Sequence, residues 1–331
     1  MSRREDRLTR RRFLAYAAAS GAALAGLRWL SHQHRPFRLR EHADSALRRG
    51  IAVVHGDAPS AAEEPAVVRR MTRAAVDALG GIGKLVRPGS RVLIKPNMAW
   101  VSPPEIAANT NPWVVAALAQ MCREAGARKV KVLDHTIARN PEPSYRASGI
   151  QDAAARAGAE VAYVDQARFR AISIPDGLAL KGWVFYEEFV SADDCDVLIN
   201  VPILKDHGTS RLTMGLKNAV GMVGGDRGDL HPEIHKKIPD LHRVIMVDLT
   251  VLDAYRVLRT HGPTGGRLGD VDNSVEGARR IVAGTDPVAV DACGASLFGY
   301  GPAEIGFLRH AEEAGLGRAD WRPLLLHEGS V

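Results

Sequence analysis

Four apolar runs of strand length, "IAVVHG", "RVLIKPNM", "KVKVLDH" and "CDVLINVPIL", constrain the fold of this chain more than any other feature. Between the first two, Val67, Val68, Met71, Ala75 and Leu79 recur at helical spacing, and Gly80-Gly81 ends the pattern. Between the second and third, Asn111 supplies a cap and Pro112 fills the first helical position of a helix that runs to Ala125 and stops at Gly126. A further helix over residues 144–157 leads through Gly158 into "AEVAYVD". A sheet built from such alternation needs helices across its faces. The expected class is α/β, with a parallel or mixed sheet covered by helices.

The middle of the chain departs from that alternation. "RFRAISIPDGLALKGWVFYEEF" reads as an inserted antiparallel hairpin or small lobe that turns at Pro175-Asp176-Gly177. "CDVLINVPIL" is then expected as one core strand ending at Leu204, followed by a helix over residues 210–220. Beyond a glycine-rich stretch, "ARRIVAGTDPVAVDACGASLF" reads as a strand, a turn and a helix opening at Asp286-Pro287. The chain has 331 residues, 46% of them hydrophobic, which is enough for a sizeable core. The expected organisation is a leader and linker over residues 1–45 and one α/β domain over residues 46–331.

The net charge of +6 invites a nucleic-acid reading, but residues 1–40 hold ten Arg against Glu5 and Asp6, a local excess of +8. The rest of the chain therefore carries −2, and nucleic-acid binding loses its compositional support. The basic leader, "TRRRFLAYAAASGAALAGL", joins an arginine cluster to a short Ala/Gly-rich apolar stretch, as signal peptides do. Thr9-Arg10-Arg11-Arg12-Phe13-Leu14 closely resembles the twin-arginine export signal. That resemblance implies export in folded form through the twin-arginine machinery, with membrane contact only through the signal segment, cleaved or retained as an anchor. Cys122, Cys195 and Cys293 stand singly, so no zinc ribbon or ferredoxin-type iron–sulfur motif is encoded.

In open α/β sheets ligands gather outside the carboxyl ends of the strands. Polar groups stand at such ends here: Lys95-Pro96-Asn97, Asp134-His135 and Lys205-Asp206-His207, with Gly284-Thr285-Asp286 opening a helix that carries Asp291. The chain has only 9 Lys against 35 Arg, so Lys95, Lys205 and Lys217 mark places where a compact ammonium is wanted. His135 and His207, beside aspartates, are candidate ligands for a divalent metal. His231 and His235 have i, i+4 spacing, but Pro232 and Pro239 weaken the helix that would pair them.

"RVLIKPNM", "CDVLINVPILKDHGTSRLTMGLKNAVG", "VLDAYRVLRTHGPTGG" and "GTDPVAVDACG", in that order, resemble the DUF362 family from about residue 50 to about residue 310. The polar residues in those motifs are Lys95, Asn97, Lys205, His207, Lys217, Asn218, Asp253, Asp286 and Asp291. Some relatives append an iron–sulfur module, a property that does not transfer to a chain lacking its cysteines. Two functions stay open. One is an exported enzyme that holds an anionic small molecule or cofactor through Lys95, Asn97, Lys217, Asn218, Asp286 and Asp291. Its Lys205, His207 or Asp253 would move protons in racemase, lyase or hydrolase chemistry. The other is a non-catalytic carrier of a metal or cofactor, exported already folded.

Overall fold

The computed structural model describes residues 37–331; the arginine cluster at Arg10, Arg11 and Arg12 lies outside the described residues. Strand β1 (Ile51–His55), helix α1 (Glu64–Ala78), β2 (Arg91–Pro96), α2 (Pro112–Glu124) and β3 (Lys129–Val132) form the first alternation. Helices α3 (Glu142–Ala147) and α4 (Ile150–Arg156) lead into the short β4 (Glu160–Val161). The insertion consists of β5 (Phe169–Ser173), β6 (Gly182–Tyr186) and α5 (Glu187–Val190). Then come β7 (Val197–Val201), β8 (Ile203–His207), β9 (Arg211–Thr213), α6 (Gly215–Asn218), α7 (Ile234–Leu241) and the long β10 (Leu249–Leu258). The last elements are β11 (Val271–Asp272), β12 (Arg280–Gly284), α8 (Pro287–Leu297), α9 (Gly306–Glu313) and β13 (Leu325–Ser330).

Eleven strands make one mixed sheet whose main path runs β13-β1-β12-β10-β7-β2-β3-β4. The β10-β7-β2-β3-β4 half is parallel, while β12 is antiparallel to both β1 and β10. Strands β5 and β6 pair antiparallel in a separate two-stranded sheet. The expected α/β class, mixed sheet and inserted hairpin are all present.

Side chains alternate across a strand, and burial explains why β2 and β7 are apolar throughout. Val92, Ile94, Val197 and Ile199 face a cluster with Val67 and Met71 of α1 and Val115 and Leu118 of α2. Leu93 and Leu198 face the opposite side, where the insertion supplies Phe169, Phe185 and Phe189. The antiparallel half is covered differently: Val288 and Ala289 of α8, Phe307 of α9 and Ile234 of α7 pack on Val53, Leu252 and Val282. Asn111 caps α2 by accepting from Trp113 N at 3.0 Å, with Pro112 at the first helical position as expected.

Several local expectations are corrected. The helix expected over residues 144–157 breaks at Gly149, whose φ of +70° no helical residue adopts. "CDVLINVPIL" is two strands, because Pro202 interrupts the ladder; β8 then continues past Leu204 to His207 and pairs antiparallel with β9. The helix expected over residues 210–220 shrinks to α6, with a 3₁₀ turn over Ala219–Met222, because residues 211–213 are spent on β9. Pro239 sits inside α7 after all; a helix of 8 residues loses only one bond to it. Residues 37–45 are no free linker. Arg40 forms a buried ion pair with Asp248 at 2.7 Å, and Leu39 bridges to Ser191.

Candidate functional site: a cation-lined cleft at the strand ends

The carboxyl ends of β2 and β3, the β8–β9 hairpin and the loop after α6 enclose a cleft of about 80 Å³. Lys95, Asn97, Asp134, His135, Lys205, His207, Lys217, Asn218 and Arg227 reach it. Seven of these are candidates in the sequence; Asp134 stands out there only as the neighbour of His135, and Arg227 carries no signal. Nothing in "GGDRGD" separates Arg227 from an ordinary loop cation; only folding turns it inward, where it donates to the carbonyls of His135 (2.7 Å) and Thr136 (2.5 Å).

The three lysines differ in what they already hold. Lys95 Nζ lies 2.7 Å from Asn218 O, 2.6 Å from Asn218 Oδ1 and 2.9 Å from Asp134 Oδ1. Gly221 is required above this pair: a Cβ there would sit on the Asp134 carboxylate and the Lys95 ammonium. Lys205 Nζ is surrounded by Ala108 O (2.5 Å), Pro263 O (3.0 Å) and Asn97 Oδ1 (3.5 Å), so it ties three segments together. Lys217 is only 8% exposed, and its ammonium has no hydrogen-bond or ion-pair partner among the described residues. Two lysines are occupied by protein; the third is not.

Electrostatics reinforces the distinction. Four cationic side chains line the cleft against the single carboxylate of Asp134. Burial, then the Lys217 ammonium, pulls Lys205 down to about 7. Burial, then Lys95 and Arg227, pulls Lys217 down to about 8. Burial also lowers Lys95, against the opposing pull of Asp134.

An asparagine network fixes the floor. Asn97 Nδ2 donates to Asn218 Oδ1 at 3.2 Å, and Asn218 Nδ2 donates to Asn200 Oδ1 at 2.8 Å. Asn200 is fully buried, yet its only sequence signal is a polar residue inside the apolar run of "VLINVPIL". Its own Nδ2 donates to Gly215 O at 2.9 Å, linking β7 to the segment that carries Lys217.

Three expected site aspartates do not line this cleft. Asp253 accepts from Asn111 N (2.7 Å) and Tyr255 N (3.0 Å), joining β10 to the start of α2; burial pushes its carboxyl up to about 6. Asp286 is the N-cap of α8, accepting from Val288 N (3.0 Å) and Ala289 N (2.9 Å), and it also accepts from Arg318 N (3.0 Å). Asp291 accepts from Gly215 N (2.6 Å) and Leu216 N (2.8 Å). The N–H groups at the start of α6 are therefore taken by Asp291. These aspartates look alike in sequence because capping and catalysis use the same residue type at the same loop positions.

His135 and His207, the candidate metal ligands, both reach the cleft. Among the described residues no group of three or more His, Cys, Asp or Glu converges as a metal site. The one carboxylate at the cleft pairs with Lys95, and four cationic side chains would repel a divalent ion there. His231 does not pair with His235: it stacks on His207 at 6.5 Å, whereas His235 stacks on Phe307 at 6.1 Å. Cys122, Cys195 and Cys293 are free and buried, and burial pushes each thiol up to about 12.

Fold and cleft together define an α/β protein with a cation-lined pocket at its strand ends. The chain belongs to the family described as "Domain of unknown function (DUF362)", whose profile matches residues 92–296. It is similar to a thylakoid-associated protein of Synechocystis sp., 29% identical over 262 residues that cover 74% of each chain. A crystal structure of a protein from Thermotoga maritima aligns with 59% of this chain and 51% of that one, at 10% identity and a TM-score of 0.38. The chain thus spans about half the length of that structure, and a likeness at this level carries no functional argument.

Proposed function

We propose that this protein binds a small anionic molecule by its carboxylate or phosphate group in the strand-end cleft, with Lys217 as the counter-ion. The observation that carries this reading is Lys217, a residue only 8% exposed whose ammonium faces the cleft with no protein partner among the described residues, in a wall of excess positive charge. An unpaired buried charge costs several kcal/mol, and an anion that neutralises it stabilises the folded state in return. Ile137, 58% exposed, and Trp100 border the cleft and suit an apolar body attached to the anionic group. Inorganic phosphate, sulfate and small carboxylates, each tested in a thermal melt, should raise the Tm of the wild type in a saturable way. Lys217→Met should abolish that rise, and Lys217→Arg should restore little of it, because the enclosed space suits a compact charge. Equal shifts in wild type and Lys217→Met for every anion would remove the reading.

Export is the second part of the proposal. The arginine triplet offers two overlapping pairs, so all of Arg10, Arg11 and Arg12 must change to test it. With the three replaced by Lys, the precursor should accumulate inside the cell. Normal delivery across the membrane in a host dependent on the twin-arginine route would exclude that assignment.

A further inference from the structure

The two histidines of the cleft are held in opposite tautomers. His135 Nδ1 lies 2.8 Å from the Val223 carbonyl oxygen, which can only accept, so Nδ1 carries the proton and Nε2 keeps a bare lone pair. His207 Nδ1 receives the backbone N–H of Thr209 at 3.1 Å and of Ser210 at 3.4 Å, so Nδ1 is the acceptor and Nε2 carries the proton. Neither Nε2 has a protein hydrogen-bond partner among the described residues, and both rings line the same cleft as Lys217. A base, a neutral donor and an unpaired ammonium thus share one small space.

From this arrangement we propose that the cleft catalyses enolisation: removal of a proton from the carbon next to a carbonyl group in a small anionic carbonyl compound. The inference rests on the anion-binding reading above. Lys217 holds the carboxylate or phosphate. His135 Nε2 takes the proton as the C–H bond breaks, and that electron pair forms the C=C bond of the enolate. The carbonyl π pair moves onto oxygen, where the Nε2–H of His207 stabilises it. Return of the proton from His135 to carbon completes an exchange that needs no oxidant, reductant or further reactant.

Burial and the flanking cations keep both rings in the neutral form that these roles require. His207 is pulled down to about 3 by burial, then Lys217 and Lys205; His135 is lowered by burial, then by Arg227. A neutral imidazole donor polarises a carbonyl without giving up its proton. The proton thus moves through His135 and not through Lys205, His207 or Asp253, the three candidates that the sequence offers.

The test is carbon-bound hydrogen exchange in deuterium oxide, read by proton NMR with 2-oxobutyrate and dihydroxyacetone phosphate as probes. The wild type should wash out the proton next to the carbonyl in at least one of them. His135→Asn keeps a donor for Val223 O but has no base, and should slow the exchange by about 100-fold or more while the phosphate-induced rise in Tm remains. His207→Asn keeps an acceptor for the Thr209 and Ser210 N–H groups but loses the donor, and should slow exchange as well. No exchange in either probe, with the phosphate shift intact, overturns enolisation and leaves anion binding standing; loss of the phosphate shift in the wild type overturns both. ¹⁵N spectra of the wild type, with the two rings assigned by their loss in the variants, should show His135 protonated at Nδ1 and His207 at Nε2. The reverse pattern in either ring also overturns the proposal.

Discussion

Lys217→Met should raise the stability of the ligand-free protein while removing its response to anions. Lys217 is 92% buried, and its ammonium is pulled from 10.5 down to about 8, so the folded state tolerates that charge poorly. The shift corresponds to a cost on the order of 3 kcal/mol at neutral pH, and a gain of that size raises Tm by roughly 5 °C or more. Below about pH 8 the folded and unfolded chains both carry the ammonium, so the cost is fully present. As pH rises from about 8 to 10.5, the folded chain is already neutral while the unfolded one is still charged, and the cost disappears. The advantage of Lys217→Met should therefore be largest at pH 7 and shrink toward zero above pH 10.5. Removing Lys217 also relieves Lys205, which the same ammonium depresses, and this adds to the gain. Urea denaturation of both proteins from pH 7 to pH 10.5 measures the difference; a variant less stable than wild type at pH 7 would mean that Lys217 has a partner in the free protein.

Asp248→Ala should have the largest opposite effect. The Asp248 carboxylate, with its side chain 1% exposed, pairs with Arg40 at 2.7 Å and accepts from Ala43 N and Leu198 N at 2.7 Å each. One residue thus closes the segment before β1 onto the start of β7. Removing it leaves a guanidinium that is 3% exposed without its counter-ion, and Arg40 Nε and Nη2 already have no hydrogen-bond partner. Breaking a buried pair from one side costs about 3–5 kcal/mol. Arg40→Met should cost distinctly less, because Asp248 keeps two backbone donors. Equal losses for the two variants in urea denaturation would show that the ion pair itself, rather than the stranded guanidinium, sets the effect.

The legibility of the site followed the kind of signal each residue carries. The strand β2 and the start of α2 were readable because apolar periodicity, an Asn cap and a following Pro are local consequences of backbone geometry. The three lysines stood out because ammonium is rare in an arginine-rich chain, yet their rarity does not separate Lys217 from Lys95 and Lys205. That separation depends on acceptors at Ala108, Pro263 and Asn218, which lie far from their lysines in sequence. The same holds for Asp291, whose role is visible only once α8 is packed against the start of α6.

The amino-acid sequence by itself determined the α/β class, the inserted hairpin, the capped helices and the family, because these rest on periodicity, turn chemistry and ordered motifs along one stretch of chain. Only the tertiary structure decided which polar residues meet at the cleft, which lysine lacks a partner, and which nitrogen of each histidine bears the proton. Those properties belong to pairs of groups: an acceptor at Val223 fixes His135 and donors at Thr209 and Ser210 fix His207. Hydrogen bonding and charge act across a few ångströms of space, and no spacing along the chain records that distance.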